Sequence, residues 1–219
     1  MKNSKSYLLL ILLCIVSICK GQFNADSLDR ILKEHPNTKY LHISSAELSQ
    51  RDLNKITQFE FLEVFEISES SGIKSLPADL FKLKKLKSLA FFWNGGVENA
   101  INWEVEAEKI SKVKSLTTLN LGPYNDFDTL PVQLTRLTNL VNLDLNMTDL
   151  MMLPDEIINL ENLETIKLSM TYMESLPVVM LQMKKLKKII LIDTPISKNK
   201  ELVEHYQKLY GEKNIELVF

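Results

Sequence analysis

The chain has 219 residues, 45% of them hydrophobic and 25% charged, with a net charge of −2. That length and apolar share are ample for one domain with a sizeable core, while the mildly acidic balance argues against a nucleic-acid ligand, which needs a basic surface to neutralise phosphates. Both cysteines, Cys14 and Cys19, lie near the amino terminus, so the body of the chain holds no disulfide, thiol nucleophile or thiolate metal site.

Lys2 and Lys5 precede an apolar run from Tyr7 to Ile18 that is too short for a comfortable membrane span, and Gly21 offers a cleavage point before Gln22. Residues 1–21 read as a secretory signal peptide. An alternative makes Cys19 a lipid-bearing residue of a bacterial lipoprotein, but bulky Ile18 stands where such signals carry a small residue. Loss of three lysines (Lys2, Lys5 and Lys20) with the signal takes the net charge from −2 to −5. No second run of about 18 apolar residues exists, so no transmembrane helix is expected in the mature chain. Residues 22–37 read as a helical cap, with Leu28, Ile31 and Leu32 at helical spacing before Pro36.

From residue 38 to 196 a phrase returns every 23 or 24 residues. An apolar triplet at positions 1, 4 and 6 recurs as Leu62, Phe65, Ile67; Leu86, Leu89, Phe91; Leu116, Leu119, Leu121; Leu140, Leu143, Leu145; Leu163, Ile166, Leu168; and Leu186, Ile189, Leu191. A weaker copy begins at Thr38. Leu-Pro follows at Leu76-Pro77, Leu130-Pro131, Leu153-Pro154 and Leu176-Pro177. Alternation at positions 4 and 6 makes a short strand. Proline ends extended pairing and suits the first turn of a short helix, whose buried stripe is a pair such as Ile157 and Leu160. One such unit cannot bury its own apolar face, so about seven of them stack.

The unit at 86–115 is irregular, since its start and the next are 30 residues apart. It begins on the aromatic Phe92-Trp93, lacks Leu-Pro, and contains a helix capped by Asn102 and running from Trp103 toward Lys114. Its extra residues either repack the far side through Trp103, Val105 and Ile110, or shape a pocket beside Phe92 and Trp93. Residues 197–219 read as a carboxyl-terminal cap: a helix over Ser197–Leu209, with Leu202, Val203, Tyr206 and Leu209 inward, ended by Gly211, then an edge strand through Ile215, Leu217 and Phe219.

The phrase from Leu140 to Pro154 resembles the leucine-rich-repeat family, in the variant that reads L-x-x-L-x-L-x-x-N-x-L-x-x-L-P. The resemblance implies an α/β solenoid, curved, with a parallel sheet on the concave side and short helices on the convex side. Extracellular vertebrate relatives usually carry disulfide caps, and their absence here favours a bacterial envelope protein. The family's buried asparagine is kept only at Asn94; the equivalent places hold Ala46, Ser70, Tyr124, Thr148, Thr171 and Thr194, whose hydroxyls can bond the turn backbone instead.

Positions 3 and 5 of each strand face outward on the concave sheet. There Asn120, Asn142, Asp144 and Lys167 offer directional hydrogen bonds, the last two as a cross-strand ion pair; at positions 7 and 8, Phe92 and Trp93 offer apolar contact of the kind that anchors protein interfaces. Each aromatic alternatively packs partly buried. Met147 and Met170 flank the other side, and Trp103 and Tyr124 form a secondary aromatic rim. His35, His42 and His205 fall in no common column, and no base and nucleophile converge, so catalytic and metal sites are not expected and no cofactor is implied. Lysine clusters at 82–87 and 184–188 read as solvated return turns.

The sequence therefore reads as a non-enzymatic protein- or peptide-binding module exported to the cell envelope. Alternatives are a cell-surface glycan binder stacking sugars on Trp93, Trp103 and Tyr124, or an intracellular signalling scaffold if the leader is not cleaved. Amino-terminal sequencing and intact mass of the protein from its native cells are expected to give a chain starting at Gln22; a lipid-bearing Cys19 or an uncleaved Met1 would each refute that.

Overall fold

The computed structural model describes residues 15–18, 25–44, 49–68, 75–92, 101–123 and 125–219. Nine parallel strands lie side by side in chain order. They are β1 (Ile15–Ile18), β2 (Tyr40–Ser44), β3 (Val64–Ser68), β4 (Ser88–Phe92), β5 (Thr118–Asn120), β6 (Asn142–Asp144), β7 (Thr165–Lys167), β8 (Lys188–Ile190) and β9 (Glu216–Val218). The register follows the repeat phase, with Tyr40, Val64, Ser88, Thr118, Asn142, Thr165 and Lys188 aligned as one column. β1, from within the apolar leader, pairs Ile15 with Tyr40 at the amino-terminal edge.

The residues at positions 1, 4 and 6 of every unit are buried, from Thr38, Leu41 and Ile43 through Leu186, Ile189 and Leu191. Together with the Leu-Pro leucines and the anchors behind them they form one continuous core. Burying each such side chain is worth roughly 1.5–3 kcal/mol, so the solenoid is held by repetition of a small gain.

The return path explains the spacing of the anchors. Pro131, Pro154 and Pro177 stand at the N-caps of one-turn 3-10 helices over Val132–Arg136, Asp155–Asn159 and Val178–Gln182. Proline thus precedes the helix, in extended backbone, instead of occupying its first turn as the sequence suggested. Its carbonyl accepts from the residue three places on, and the bonding continues in steps of three: Leu134 N–H to Pro131 (3.0 Å), Leu137 to Leu134 (3.1 Å), Leu140 to Leu137 (2.8 Å). Residues three apart eclipse in a 3-10 helix. The anchors that enter the core are therefore the ones whose amides are bonded.

Turn carbonyls after the strands are satisfied from inside. Thr148, Thr171 and Thr194 donate their hydroxyls to Leu145, Leu168 and Leu191 O at 2.8, 2.7 and 2.8 Å, which is the substitution for asparagine that the sequence suggested. One assignment changes: in the unit starting at Leu116 the buried amide is Asn125, one place after Tyr124. Its Nδ2 donates to Phe91 O at 2.9 Å and also to Leu121 O. The Gly122-Pro123 peptide in the turn before Asn125 is cis. Asn94 and Tyr124 lie outside the described residues, as do Ala46 and Ser70.

α1 (Ala25–Glu34) buries Leu28 and Ile31 over the amino-terminal units; α2 (Gln50–Leu53) leads into a 3-10 turn at Asn54–Gln58. At the other end, the single helix expected over Ser197–Leu209 is two, α4 (Pro195–Lys198) and α5 (Lys200–Gly211), because Asn199 caps the second by accepting from Leu202 N–H at 3.2 Å. Its buried residues are Tyr206 and Tyr210, while Leu202, Val203 and Leu209 are half-buried.

In the irregular unit, α3 (Trp103–Ser111) is capped by Asn102, which accepts from Val105 N–H at 3.2 Å. It carries a buried carboxylate. Glu106 accepts from Leu76 N–H at 2.7 Å, Ser75 Oγ at 2.5 Å and Lys109 Nζ at 2.9 Å. A buried charge survives only when paired and fully bonded. Glu106→Ala would leave the Leu76 amide without its acceptor and Lys109 without its counter-ion, though still bonded to Leu76 O at 3.0 Å, so urea unfolding is expected to show a loss of about 3–5 kcal/mol; a loss below about 1 kcal/mol would contradict the network's role.

Candidate functional site: the outer face and rim of the parallel sheet

In-register strands place equivalent outward residues next to one another, about 4.8 Å apart. The position-5 column runs His42, Glu66, Ala90, Asn120, Asp144, Lys167 and Ile190. Its centre is low, because Ala90 is small and buried. Polar clusters flank it on both sides.

On the amino-terminal side, Tyr40 donates its hydroxyl to Glu66 Oε2 at 2.6 Å, and His42 Nδ1 lies 3.0 Å from the same oxygen. Ionising Tyr40 would set a phenolate against a carboxylate, so its hydroxyl is pushed up to about 12, first by that hydrogen bond, then by burial and by the Glu66 charge. On the carboxyl-terminal side, Lys167 Nζ meets Asp144 Oδ2 at 2.8 Å, directly across the β6–β7 pair. Asp144 Oδ1 also accepts from Asn146 N–H at 3.1 Å, and Asn120 Oδ1 from Gly122 N–H at 3.1 Å. Two of the residues expected to meet a ligand are therefore partly engaged in shaping their own turns, whereas Asn142 is exposed.

The turns at the carboxyl ends of the strands form a rim. Asn146 Oδ1 accepts from Ser169 N–H at 2.7 Å, and Ser169 Oγ from Ile192 N–H at 3.1 Å, linking one turn to the next. Met147, Met170 and Asp193 share one place in this series and all have positive φ, 60°, 55° and 58°. That is an unusual conformation for a long side chain. It leaves Met147 42% and Met170 51% exposed, beside exposed Ile192. At Gly122 a Cβ would come within 1.9 Å of Asn146 O, so only glycine fits there.

No protein-family profile matches the chain, and no curated protein is a significant relative. Solved structures are similar: a leucine-rich-repeat protein of Leptospira interrogans, at TM-score 0.51 and 21% identity over 86% of this chain. Toll from the Drosophila Toll–Spatzle complex gives TM-score 0.57 and 21% identity over 80%. The Arabidopsis receptor kinase HAESA, solved with the peptide hormone IDA and the co-receptor SERK1, gives 0.56 and 28% over 75%. The fold is a leucine-rich-repeat solenoid. This solenoid spans 62%, 22% and 27% of those three chains, less than two thirds of each.

Within the leucine-rich-repeat solenoid the expected site residues fall as follows. Phe92 is half-buried at the end of β4, and Trp93 and Tyr124 lie outside the described residues. Trp103 is not on an aromatic rim: it is 7% exposed, packed edge-on between Phe91 and Phe127 at 5.9 and 5.0 Å, with its indole N–H donated to Asp126 at 3.0 Å. The insertion uses it as core. The lysine clusters are largely partnered on the return turns: Lys87 bonds Glu63 at 3.1 Å, Lys187 bonds Glu164 at 2.8 Å, Lys185 bonds Asn162 at 2.6 Å, and Lys85 lies 3.8 Å from the Phe61 ring centroid. Lys39 and Lys87 together hold the Glu63 carboxyl below its usual 4.5.

The cluster that sequence reasoning passed over is Tyr40–Glu66–His42. Its residues fall in the position-3 and position-5 columns, but their mutual bonding across β2 and β3 has no sequence signature. Because the folded chain keeps the Tyr40 proton to about 12 against the usual 10, this contribution to stability is full below the usual value and lost as pH rises through the higher one. Spectrophotometric phenol titration is expected to show two tyrosines titrating late, Tyr40 and Tyr210, the latter raised by its burial, and Glu66→Gln to bring one of the two, Tyr40, back toward the others.

Proposed function

We propose that this chain is a non-enzymatic recognition module, exported from the cell, that binds a protein or peptide partner on the outer face of its parallel sheet. The observation that carries the reading is the register itself. Seven repeat strands set polar side chains in fixed columns around the low centre at Ala90, with Phe92 half-buried beside it. Side chains ordered before contact lose little freedom on binding. Toll and HAESA, similar in fold, were solved in complexes with Spatzle and with IDA and SERK1, which supports a protein or peptide as the class of partner.

Export rests on the leader, with cleavage before Gln22. Such cleavage would remove β1 and leave β2 as the sheet edge, next to α1. Among the described residues no helix is long and apolar enough to cross a membrane. The glycan reading loses one of its three stacking rings, since Trp103 is buried.

Phe92→Ala and Trp93→Ala, each confirmed as folded, are expected to weaken recovery of the native partner by about 2 kcal/mol or more. Unaltered recovery by both variants would reject this face as the contact surface.

A further inference from the structure

A second surface lies on the rim, and its composition differs from that of the sheet. Between Ser115 and Ile166 the chain has eight Asp and Glu residues and one cation, Arg136. Arg136 is engaged with Glu108 at 2.8 Å. Among the described residues Asp128, Asp149, Asp155, Glu156 and Glu174 form no ion pair, and all five are exposed. Interspersed with them are large exposed apolar groups: Met147, Met151, Met152, Met170 and Tyr172, the last at 58%.

These residues are contiguous through the backbone. Asp128 O accepts from Met151 N–H at 2.7 Å and Met152 N–H at 3.1 Å, and Tyr172 N–H donates to Leu150 O at 2.9 Å. Beside Met152, which bridges to Thr129, opens a cavity of about 650 Å³. Its walls combine apolar Phe127, Pro131 and Val132 with the carboxylates of Glu104, Asp126 and Asp128. Among the described residues no three such groups converge closely enough to hold a metal ion. The charge is spread around a roomy mouth.

We propose that this rim is the docking surface for a cationic amphipathic segment of the partner. Its apolar face lies on the methionines and Tyr172, and a Lys or Arg side chain enters the cavity between Glu104, Asp126 and Asp128. The proposal rests on the reading of the chain as a protein-binding module and names the chemistry of what it binds. Charge complementarity selects a basic partner: the unpaired carboxylates have no cation of their own to satisfy them, and an acidic partner would be repelled. Flexible, polarizable methionine side chains adapt to the apolar face of such a segment. A helix presenting apolar residues on one side and lysines on the other is one of the recurring forms in which such a segment is offered.

The test uses the full chain and a synthetic Leu/Lys amphipathic helical peptide, with a Leu/Glu peptide of the same pattern and a pattern-scrambled Leu/Lys peptide as comparisons, measured by isothermal titration calorimetry. The Leu/Lys peptide is expected to bind, more weakly as salt rises, and the other two to bind at least about tenfold more weakly. Met151→Ser with Met152→Ser, and Glu104→Gln with Asp128→Asn, are each expected to reduce affinity about tenfold while the circular dichroism spectrum stays unchanged. Equal binding of the Leu/Glu peptide, no binding of the Leu/Lys peptide, or binding untouched by both double variants would overturn the proposal. The broader reading fails separately, through undiminished partner recovery by the Phe92 and Trp93 variants; Leu/Lys binding that is lost only in Phe92→Ala would refute the rim and retain the sheet.

Discussion

Everything in this molecule depends on one constraint: each unit must deliver its strand to the next in the same register. A slip of one residue would turn every buried side chain of that strand outward, and the core would be broken at that layer. The chain meets the constraint at both ends of the strand. Before it, amides step by three along the buried anchors, as from Pro154 through Ile157 and Leu160 to Leu163. After it, a buried hydroxyl or amide, such as Thr171 on Leu168 O or Asn125 on Leu121 O, closes the turn.

The same constraint organises the exposed chemistry. Because strands are in register, charged residues in one position meet across units, as in the series Lys39, Glu63 and Lys87. Each such exposed pair is worth little by itself. Its effect is to fix which side chains are already occupied. The sheet face is largely of this kind, with Asp144 shared between Lys167 and its own turn. The rim near Asp128 and Asp149 is the opposite case, with charge left over.

Much of the sheet was legible in the sequence because burial there repeats with a period, and seven copies of one pattern average out local accidents. The Asp144–Lys167 pair followed directly from counting along the repeat. What could not be read were features set by a single local event. The one-residue shift that makes Asn125 the buried amide falls in a turn with no repeat phase, where Gly122 is compelled by a contact with Asn146 O in the next unit. Trp103 could be read either as far-side packing or as a rim aromatic, because an insertion has no repeat phase to fix its orientation; in the fold it fills the space between Phe91 and Phe127. Met147 and Met170 occupy a left-handed backbone position that sequence would have assigned to glycine or asparagine. The Tyr40–Glu66–His42 cluster needed atomic positions, since column membership says who is adjacent and not who is bonded.

The step of three also governs how such a chain can change length. In the irregular unit the extra residues form α3, yet the run-in is restored before the next strand, with Val113 N–H on Ile110 O at 2.9 Å and Leu116 N–H on Val113 O at 3.1 Å. The approach to the sheet is therefore a standard coupling, indifferent to what lies upstream of it. Units joined by such couplings behave as exchangeable cassettes. A gene can gain, lose or enlarge one of them between equivalent leucines without disturbing the alignment of those that follow, and the growth of the array is free to alter the exposed surface while the frame is inherited whole.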